Sequence, residues 1–312
     1  MTHEQAKKDK RSAALSSVIA AIGLTTFKLI VGLLTNSLGI LAEAAHSGLD
    51  LVAAAMTYFA VRVSDKPADK EHPFGHGKIE NISAMFETLL LLGTSAWIIY
   101  EAVQRLFFHP EIVPEATIWS FIVMGSSIVI DATRSRILAR AAKKYNSQAL
   151  EADALHFSTD IWSSSVVIVG LIGLTVSHYI SGLDWMHKAD SIAALVVAVI
   201  VIYVSAELGW RTIAALLDTA PKGMTERIEQ AANSIPGVMD AHAVRIRQSG
   251  AHNFIDMHVT MDGNCSLNEA HAATEKIEHV IQTIIQSADV TVHVEPAGMP
   301  ADPSPKKRKR IK

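Results

Sequence analysis

The chain has 312 residues, of which 49% are hydrophobic and 19% are charged. This balance argues against two ordinary soluble domains and for helices within a membrane. Its one cysteine, Cys265, excludes an internal disulfide framework and a cysteine-rich metal cluster, and the net charge of −3 gives no reason to expect a nucleic-acid partner.

The first 11 residues are basic and precede a long apolar run. They are predicted to form a cytoplasmic N-terminus ahead of a retained first helix, because no small-residue cleavage site follows them. Six apolar segments can be marked, each near the ~20 residues that span a bilayer. They lie at 12–34, 38–62, 80–106, 115–138, 153–182 and 190–209. The sequence therefore predicts a six-helix transmembrane domain over residues 12–210.

Positive charge is concentrated in alternate connections between these segments. The 62–80 loop and the connection between the fourth and fifth segments hold several Lys and Arg residues, whereas the 35–39 and 107–115 connections hold none. Cytoplasmic loops carry the excess of Lys and Arg in membrane proteins. Both termini are therefore predicted to be cytoplasmic, in a multi-pass protein of the cell (inner) membrane.

Histidine and aspartate recur four residues apart inside two of the apolar segments. The second segment holds His46 and Asp50, the fifth holds His156 and Asp160, and residues at i and i+4 share one helix face. An ionised Asp at mid-bilayer costs at least ~2.5 kcal/mol and needs a partner. Two imidazoles and two carboxylates form a ligand set of formal charge −2, which suits a divalent cation and above all tetrahedral zinc. The alternative is a buried polar network that only fixes helix packing.

This ligand set favours passage of an ion over catalysis. Four protein ligands can close the coordination shell, whereas a catalytic zinc keeps one position open for water. His and Asp must release protons to bind metal, so a pH difference across the membrane can load the site on one face and empty it on the other. An intramembrane zinc-dependent hydrolase and a metal sensor without transport stay open as alternatives. The roles of four further polar residues in apolar runs also stay open: Lys28, Glu43, Glu87 and Asp131.

A third group of candidate ligands lies in the loop before the third segment. Asp69, His72 and His76 follow a D-x-x-H-x-x-x-H pattern, and Gly75 and Gly77 permit tight turns beside them. The pattern predicts a second metal site. The alternative is a surface loop that holds these residues by chance.

After a predicted linker at 211–221, the apolar runs give way to shorter alternating elements. Residues 222–296 are predicted to form a small α+β domain of order αββαβ with a three-stranded sheet. The basic tail at 297–312 is predicted to be disordered. Its KKRKRIK end is interpreted as a solvated cytoplasmic segment near anionic lipid rather than as a nuclear localisation signal.

Six of the 14 histidines fall in this small domain. Strand alternation puts His258 on the face opposite the apolar residues of its strand, and it puts His293 and Glu295 together on one face of the last strand. Ligands on adjacent strands then converge on one polar surface, with His271 reaching in from the second helix. The pattern predicts a cytoplasmic metal site, and the alternative is a solvated polar face.

The two H-x-x-x-D segments, PADKEHPFGHGK in the loop and the histidine-bearing tail together resemble the cation diffusion facilitator family, which includes zinc transporters. The resemblance covers residues 12–296 and implies a homodimer with cytoplasmic domains of ferredoxin-like (metallochaperone-like) fold. It implies an alternating-access efflux transporter, not an enzyme, with protons as counter-ion in a lipid bilayer. The expected cation is Zn²⁺, with Cd²⁺, Co²⁺, Ni²⁺ or Fe²⁺ as alternatives.

The resemblance also assigns roles to individual residues. It implies a transport site at His46, Asp50, His156 and Asp160, and a loop site at Asp69, His72 and His76. It implies a dimer-bridging cytoplasmic site at His242, His258, His271, His293 and Glu295, and a charge interlock between Lys78 and Asp218. The sequence departs from many bacterial relatives at His46 and at Glu295, where those proteins carry Asp. The two-histidine transport site resembles that of zinc-preferring members.

Overall fold

The structure is a computed structural model, and it describes residues 3–107, 117–177, 186–285 and 287–298. The chain divides into two compact units, Met1–Ile213 and Ala214–Lys312, which we call the membrane unit and the sheet unit. Most of the predicted basic tail and of the 107–115 connection lies outside the described residues.

The described residues of the membrane unit form six long helices, the last of which ends at Leu216, three residues past the boundary of the unit. They are α1 (His3–Thr35), α2 (Leu38–Ser64), α3 (Lys78–Phe107), α4 (Ile118–Tyr145), α5 (Gln148–Ser177) and α6 (Met186–Leu216). Within the described residues, four of them contain stretches long and apolar enough to cross a bilayer, namely α1, α2, α3 and α6. The predicted helical membrane domain is confirmed, and its count of six spans is supported at four of the six helices.

The helices extend beyond the apolar segments from which they were predicted. α1 begins at His3, inside the basic N-terminal stretch, and the first turns are joined by a Lys7–Glu4 ion pair of 3.2 Å. α6 continues to Leu216, six residues into the segment predicted as a linker. Residues with good helix propensity prolong a helix past the predicted span: charged ones such as Lys7 in α1, and Arg211, Ala214 and Ala215 in α6. The predicted spans therefore underestimate both helix lengths.

Close packing in the membrane unit relies on small side chains. α1 contacts α2 and α4, while α5 contacts α4, α3 and α2. Ala14, Ala54 and Ala149 are fully buried around Phe157, and small residues let helix backbones approach each other in membranes. Large apolar side chains point outward instead, as with Leu34, which is 82% exposed. This is the arrangement expected of helices whose outer surface faces lipid.

The sheet unit contains α7 (Met224–Asn233), β1 (Asp240–Ser249), β2 (His252–Met261), α8 (Leu267–Ile284) and β3 (Ala288–Pro296). The strand order is β1-β2-β3, with β1 antiparallel and β3 parallel to β2. Apolar residues of β2 pack with those of α7 and α8 in one core. This confirms the predicted small α+β domain with its αββαβ order.

A β-bulge corrects the alternation of β1. The register shifts by one residue between His242 and Arg245, and Ala243 adopts a φ of 52°. Ala241 and Ile246 are five residues apart and would face opposite sides of a regular strand. The extra residue turns both toward the core, where both are buried. The polar face of β1 therefore meets that of β2 at His242.

Candidate metal sites

The four predicted intramembrane ligands converge from α2 and α5. His156 Nε2 lies 3.2 Å from Asp50 Oδ1 and 3.6 Å from Asp160 Oδ2. His46 Nε2 lies 3.9 Å from Asp50 Oδ1 and 4.0 Å from Asp160 Oδ1. Ligand atoms of Asp50, His156 and Asp160 all lie within 4.8 Å of one another. The repeated i, i+4 spacing thus brings Asp50, His156 and Asp160 around one point, with His46 at its edge. We call these four residues the intramembrane cluster.

Burial differs within the intramembrane cluster. His156 and Asp50 are buried, whereas the His46 side chain is 42% exposed. Asp160 Oδ2 and His156 Nδ1 lack a hydrogen-bond partner among the described residues. A buried polar atom without a partner costs free energy. A cation bound among these atoms would give Asp160 Oδ2 the partner that it lacks. The donor set has the chemistry of a divalent-cation site.

Arg134 of α4 contacts α5 beside the intramembrane cluster. Arg134 on α4 is buried, pairs with Asp131 at 3.2 Å and contacts Ser17 Oγ at 3.1 Å. Its guanidinium also lies 3.4 Å from the centroid of the Phe157 ring, and that ring meets His156 edge-on. Cation–π contact holds such a ring in place. Arg134 therefore helps to hold Phe157, which is next to the candidate ligand His156.

The other polar residues that the sequence left without a role are also paired. Lys28 on α1 binds Glu43 on α2 at 3.2 Å. Thr57 Oγ1 donates a hydrogen bond to Glu87 Oε1 and so joins α2 to α3. These contacts link helices, as expected of polar groups inside a membrane.

The three predicted loop ligands also come together. His72 Nδ1 and His76 Nε2 each lie 3.4 Å from a different oxygen of Asp69, and Gly75 makes the turn between the histidines with a φ of 76°. The backbone N–H of His72 donates to Asp69 Oδ1 at 2.7 Å and lowers the pKa of that carboxyl, as does the N–H of Glu71. The carboxylate is therefore ionised at neutral pH and able to bind a cation.

In the sheet unit, strand register brings three predicted ligands to one point. His242 and His258 are paired between β1 and β2, and His258 is paired with His293 of β3. His258 Nδ1 lies 2.7 Å from Glu295 Oε1, and His242 Nε2 lies 3.6 Å from Glu295 Oε2. Ligand atoms of His242, His258 and Glu295 fall within 4.8 Å of one another. We call these three residues the sheet cluster; His293 Nε2 lies at its edge, 3.9 Å from Glu295 Oε1.

His271 does not join the sheet cluster within this chain, contrary to the prediction. Its side chain is 71% exposed and its Nε2 lies 3.6 Å from Glu275 Oε1, one turn along α8. α8 packs its buried Ile277 on the apolar face of the sheet, whereas His258 points to the opposite face. A residue of α8 is therefore on the wrong side of the sheet to reach the cluster of its own chain.

The two residues of the predicted charge interlock lie in different units. Lys78 is the first residue of α3 in the membrane unit, and Asp218 follows α6 in the sheet unit with a φ of 56°. The interlock stays a prediction.

Two acidic residues beside the clusters, Asp153 and Asp240, were not among the predicted ligands. Asp153 is fully buried and precedes His156 by three residues on α5, so the helical period could have identified it. Asp240 Oδ2 lies 3.0 Å from His242 Nδ1, and the two share a strand face two residues apart.

A cavity of about 580 Å³ lies between α4, α5 and α6. Its lining includes Ser147, Glu151, Glu207 and Arg211, and it includes no residue of the intramembrane cluster. The candidate ligands thus lie between packed helices, apart from this cavity.

Family comparisons cover both units. Residues 14–217 match the model described as "Cation efflux transmembrane domain", and residues 220–297 match "Cation efflux protein, cytoplasmic domain". The boundary between the two matches, near residue 218, falls close to the division between the two structural units.

Individual proteins are similar over almost the whole chain. The cation-efflux pump FieF of Yersinia enterocolitica is 33% identical over 292 residues, which are 93% of each chain. FieF of Cronobacter sakazakii is 30% identical over 96% of each chain. Among solved structures, the metal-bound C-terminal domain of the CzcD transporter from Thermotoga maritima is 38% identical; the match covers 24% of this chain and 88% of that one, with a TM-score of 0.23.

Proposed function

The chain belongs to the cation efflux (cation diffusion facilitator) family, and we propose that it is a homodimeric, proton-coupled zinc exporter of the cell membrane. The family consists of cation efflux transporters rather than enzymes, so the chain is a multi-pass membrane transporter of divalent cations. The same membership leaves the intramembrane hydrolase and the sensor without transport unfavoured.

The proposal rests chiefly on one observation, the convergence of His46, Asp50, His156 and Asp160. Each imidazole nitrogen lies 3.2–4.0 Å from a carboxylate oxygen of its own helix and from one of the other helix. Two imidazole nitrogens with two carboxylate oxygens suit zinc, which is commonly four-coordinate. The carboxylates supply the two negative charges that offset the ion in a membrane. Cadmium, cobalt, nickel and iron remain substrates to be ranked by experiment.

Proton coupling follows from the chemistry of the same atoms. Imidazole binds metal only when neutral and carboxylate only when ionised, so zinc and protons compete for the intramembrane cluster. When the cluster is open to the cytoplasm, zinc replaces the protons on its ligand atoms. When it is open to the more acidic outer side, protons replace the zinc. Alternating access of the cluster to the two sides then moves zinc outward and protons inward. Both termini are assigned to the cytoplasm by the distribution of Lys and Arg.

The sheet unit supports a resident metal ion and a dimer. His242, His258 and Glu295 offer two nitrogen donors and a carboxylate, which is a set that zinc accepts. His271 is exposed on the other face of its own sheet, so it is free to complete the sheet cluster of a second copy. The loop group of Asp69, His72 and His76 has similar chemistry. A metal held between copies would stabilise the dimer and make it respond to cytoplasmic zinc.

Zinc flux into proteoliposomes tests the proposal. With zinc outside and an acidic lumen, uptake should exceed the uptake into a neutral lumen at least about 10-fold, because protons empty the site. Asp160→Asn keeps the size of the side chain but removes one ligand charge, and should reduce uptake to the level of protein-free vesicles. Glu207→Gln makes the same chemical change on an exposed position of α6 and should leave uptake unchanged. Full uptake by Asp160→Asn, or uptake indifferent to the lumenal pH, would contradict the proposal.

A further inference from the structure

Buried polar side chains continue beyond the intramembrane cluster toward one end of the membrane unit. On α2, Thr57 follows Asp50 by seven residues, and on α3, Glu80, Ser83 and Glu87 are spaced by three and four. Residues at these spacings lie on one side of a helix. All five are buried. Polar side chains in this arrangement form a seam between packed helices rather than an outer surface.

The end of this seam is fixed by contacts to Glu80. Ser64, the last residue of α2, donates to Glu80 Oε1 at 2.9 Å, and Ser147, just before α5, donates to Glu80 Oε2. The C-terminal end of α2 therefore lies beside the N-terminal end of α5. Any residue between Asp50 and Ser64 on α2 lies between the intramembrane cluster and this end.

Two carboxyl groups occupy the middle of the seam. Thr57 is two helical turns from Asp50 in the direction of Ser64, and it donates a hydrogen bond to Glu87. Asp153 lies about one turn before His156 on α5, which is the same direction. Glu87 and Asp153 are close enough to interact electrostatically, and both interact with His156. The seam thus holds a second pair of carboxyl groups, about two helical turns from the first pair, Asp50 and Asp160.

This second pair is buried and incompletely satisfied. Glu87 and Asp153 are both 0% exposed. Glu87 Oε2 and Asp153 Oδ1 have no hydrogen-bond partner among the described residues, while Asp153 Oδ2 accepts from Ser17 at 3.3 Å. Arg134 donates to Ser17 and Asp131. Arg134 brings one positive charge near Asp153, but Asp131 shares it. A cation or a proton would offset the remaining cost of burying these two carboxyl groups.

We propose that Glu87 and Asp153, with the hydroxyl of Thr57, form a second binding position for a divalent metal cation. The inference rests on the proposed function, because this position would hold the cation between the Glu80 end of the seam and the intramembrane cluster. Its donors are all oxygen atoms, which suit hard cations such as Mn²⁺ and hold zinc less well than imidazole does. A cation there would therefore pass on to the nitrogen-containing cluster rather than be trapped.

Manganese is the probe for the test, because it prefers oxygen ligands and its free form is counted by electron paramagnetic resonance. The full-length protein in detergent is titrated with Mn²⁺ alone, and bound ions per chain are compared between variants. Glu87→Gln and Asp153→Asn should each lose the same one Mn²⁺ equivalent, and the double variant should lose no more than one. Glu207→Gln, a matched change on an exposed residue of α6, should lose none.

Other outcomes would overturn the inference. If neither Glu87→Gln nor Asp153→Asn lowers the Mn²⁺ count, the two carboxyl groups are protonated and bind no metal. If the double variant loses two equivalents, the residues belong to separate sites. Helix content from circular dichroism identifies a misfolded variant. If one single variant misfolds, the Mn²⁺ count of the other single variant decides between these outcomes. Zinc flux is measured on the same preparations: if the variants lose the Mn²⁺ equivalent but the wild type transports no zinc, the proposed function is contradicted and this position stands.

Discussion

The intramembrane cluster and the sheet cluster use the same side chains in opposite surroundings. Both combine histidine with carboxylate, but Asp50 and His156 are buried between helices, whereas His258 and Glu295 are partly open to water. Water can satisfy an exposed cluster that holds no ion. A buried cluster has no such substitute, so either metal or protons must occupy it. This contrast supports the proposal that metal exchanges for protons in the membrane unit, while the sheet cluster senses metal reversibly.

The backbone also distinguishes the two clusters. A helix repeats its face every four residues, so each of α2 and α5 supplies a ligand pair by itself. A strand supplies ligands only through its register with neighbours, and at His242 that register depends on the bulge at Ala243. The sheet cluster is therefore more sensitive to changes of the backbone than the intramembrane cluster is. The intramembrane cluster is more sensitive to changes of charge, because it is buried.

The largest expected effect comes from removing one histidine from each cluster. His156→Ala should reduce proton-driven zinc flux by about 100-fold or more, since it leaves two buried carboxylates with fewer ligands around the ion; loss of even a supporting contact to a metal ligand costs 10–100-fold. His258→Ala should change flux less than about 10-fold, mainly by raising the zinc concentration for half-maximal rate. Both rates come from proteoliposomes with an acidic lumen.

His279→Ala is the matched control for the sheet unit, because this histidine is on the same small domain and outside the sheet cluster. It should leave both the rate and the half-maximal concentration unchanged. Equal losses of flux in His156→Ala and His258→Ala would remove the proposed division between an exchanging cluster and a sensing one.

Much of this architecture was accessible from local patterns. The period-2 alternation of β2 and β3 placed His258, His293 and Glu295 on the polar face, and the i, i+4 spacing placed both ligand pairs of the intramembrane cluster. The same helical rule could have corrected the prediction for His271, because the buried residues Ala273, Ile277 and Ile281 form the face of α8 that meets the sheet. His271 lies away from that stripe.

Long-range pairing was not accessible in this way. Lys10 was assigned to a basic cytoplasmic stretch, yet it is buried and contacts Glu80, 70 residues later, at 3.0 Å and Asp65 at 2.8 Å. A local pattern contains nothing that selects these partners, because the contact depends on how α1, α2 and α3 pack. The same applies to the electrostatic interaction between Glu87 and Asp153, which belong to the contacting helices α3 and α5.

The second-largest effect concerns stability: the buried ion pair between Lys10 and Glu80 is compared with an exposed ion pair by the free energy of unfolding. Lys10→Met keeps most of the side-chain volume but leaves Glu80 without its cation, and removal of one partner from a buried ion pair costs about 3–5 kcal/mol. Arg211→Met removes an exposed pair with Glu151 and should cost less than about 1 kcal/mol. All five Trp residues precede residue 214, so tryptophan fluorescence during denaturant titration reports the membrane unit alone. Equal costs would show that burial does not separate the two pairs.

The smallest expected effect concerns Glu295, and it depends on pH. The hydrogen bond from His258 lowers the pKa of Glu295 below its ordinary value of 4.5. A carboxyl whose pKa is lower in the folded state stabilises that state above its ordinary pKa, and this stabilisation disappears as the pH falls through the lowered value. With metal removed by chelator, the wild type should therefore exceed Glu295→Gln in stability at neutral pH, and the two should converge in acid.

Hydrogen exchange of β3 peptides in the full-length chain measures this difference, because the sheet unit contains no Trp and opening of its strands exposes their amides. The cause is isolated by repeating the comparison in a His258→Ala background, where the donor is missing. The effect of Glu295→Gln at neutral pH should then be smaller, since the coupling between two contacting residues vanishes when either is removed, while His242 and His293 still lie beside Glu295. A difference that is undiminished in that background, or that grows in acid, would mean that His258 does not set the charge of Glu295. The sheet cluster would then be governed by the metal alone, and its contrast with the intramembrane cluster, for which proton exchange is proposed, would become sharper.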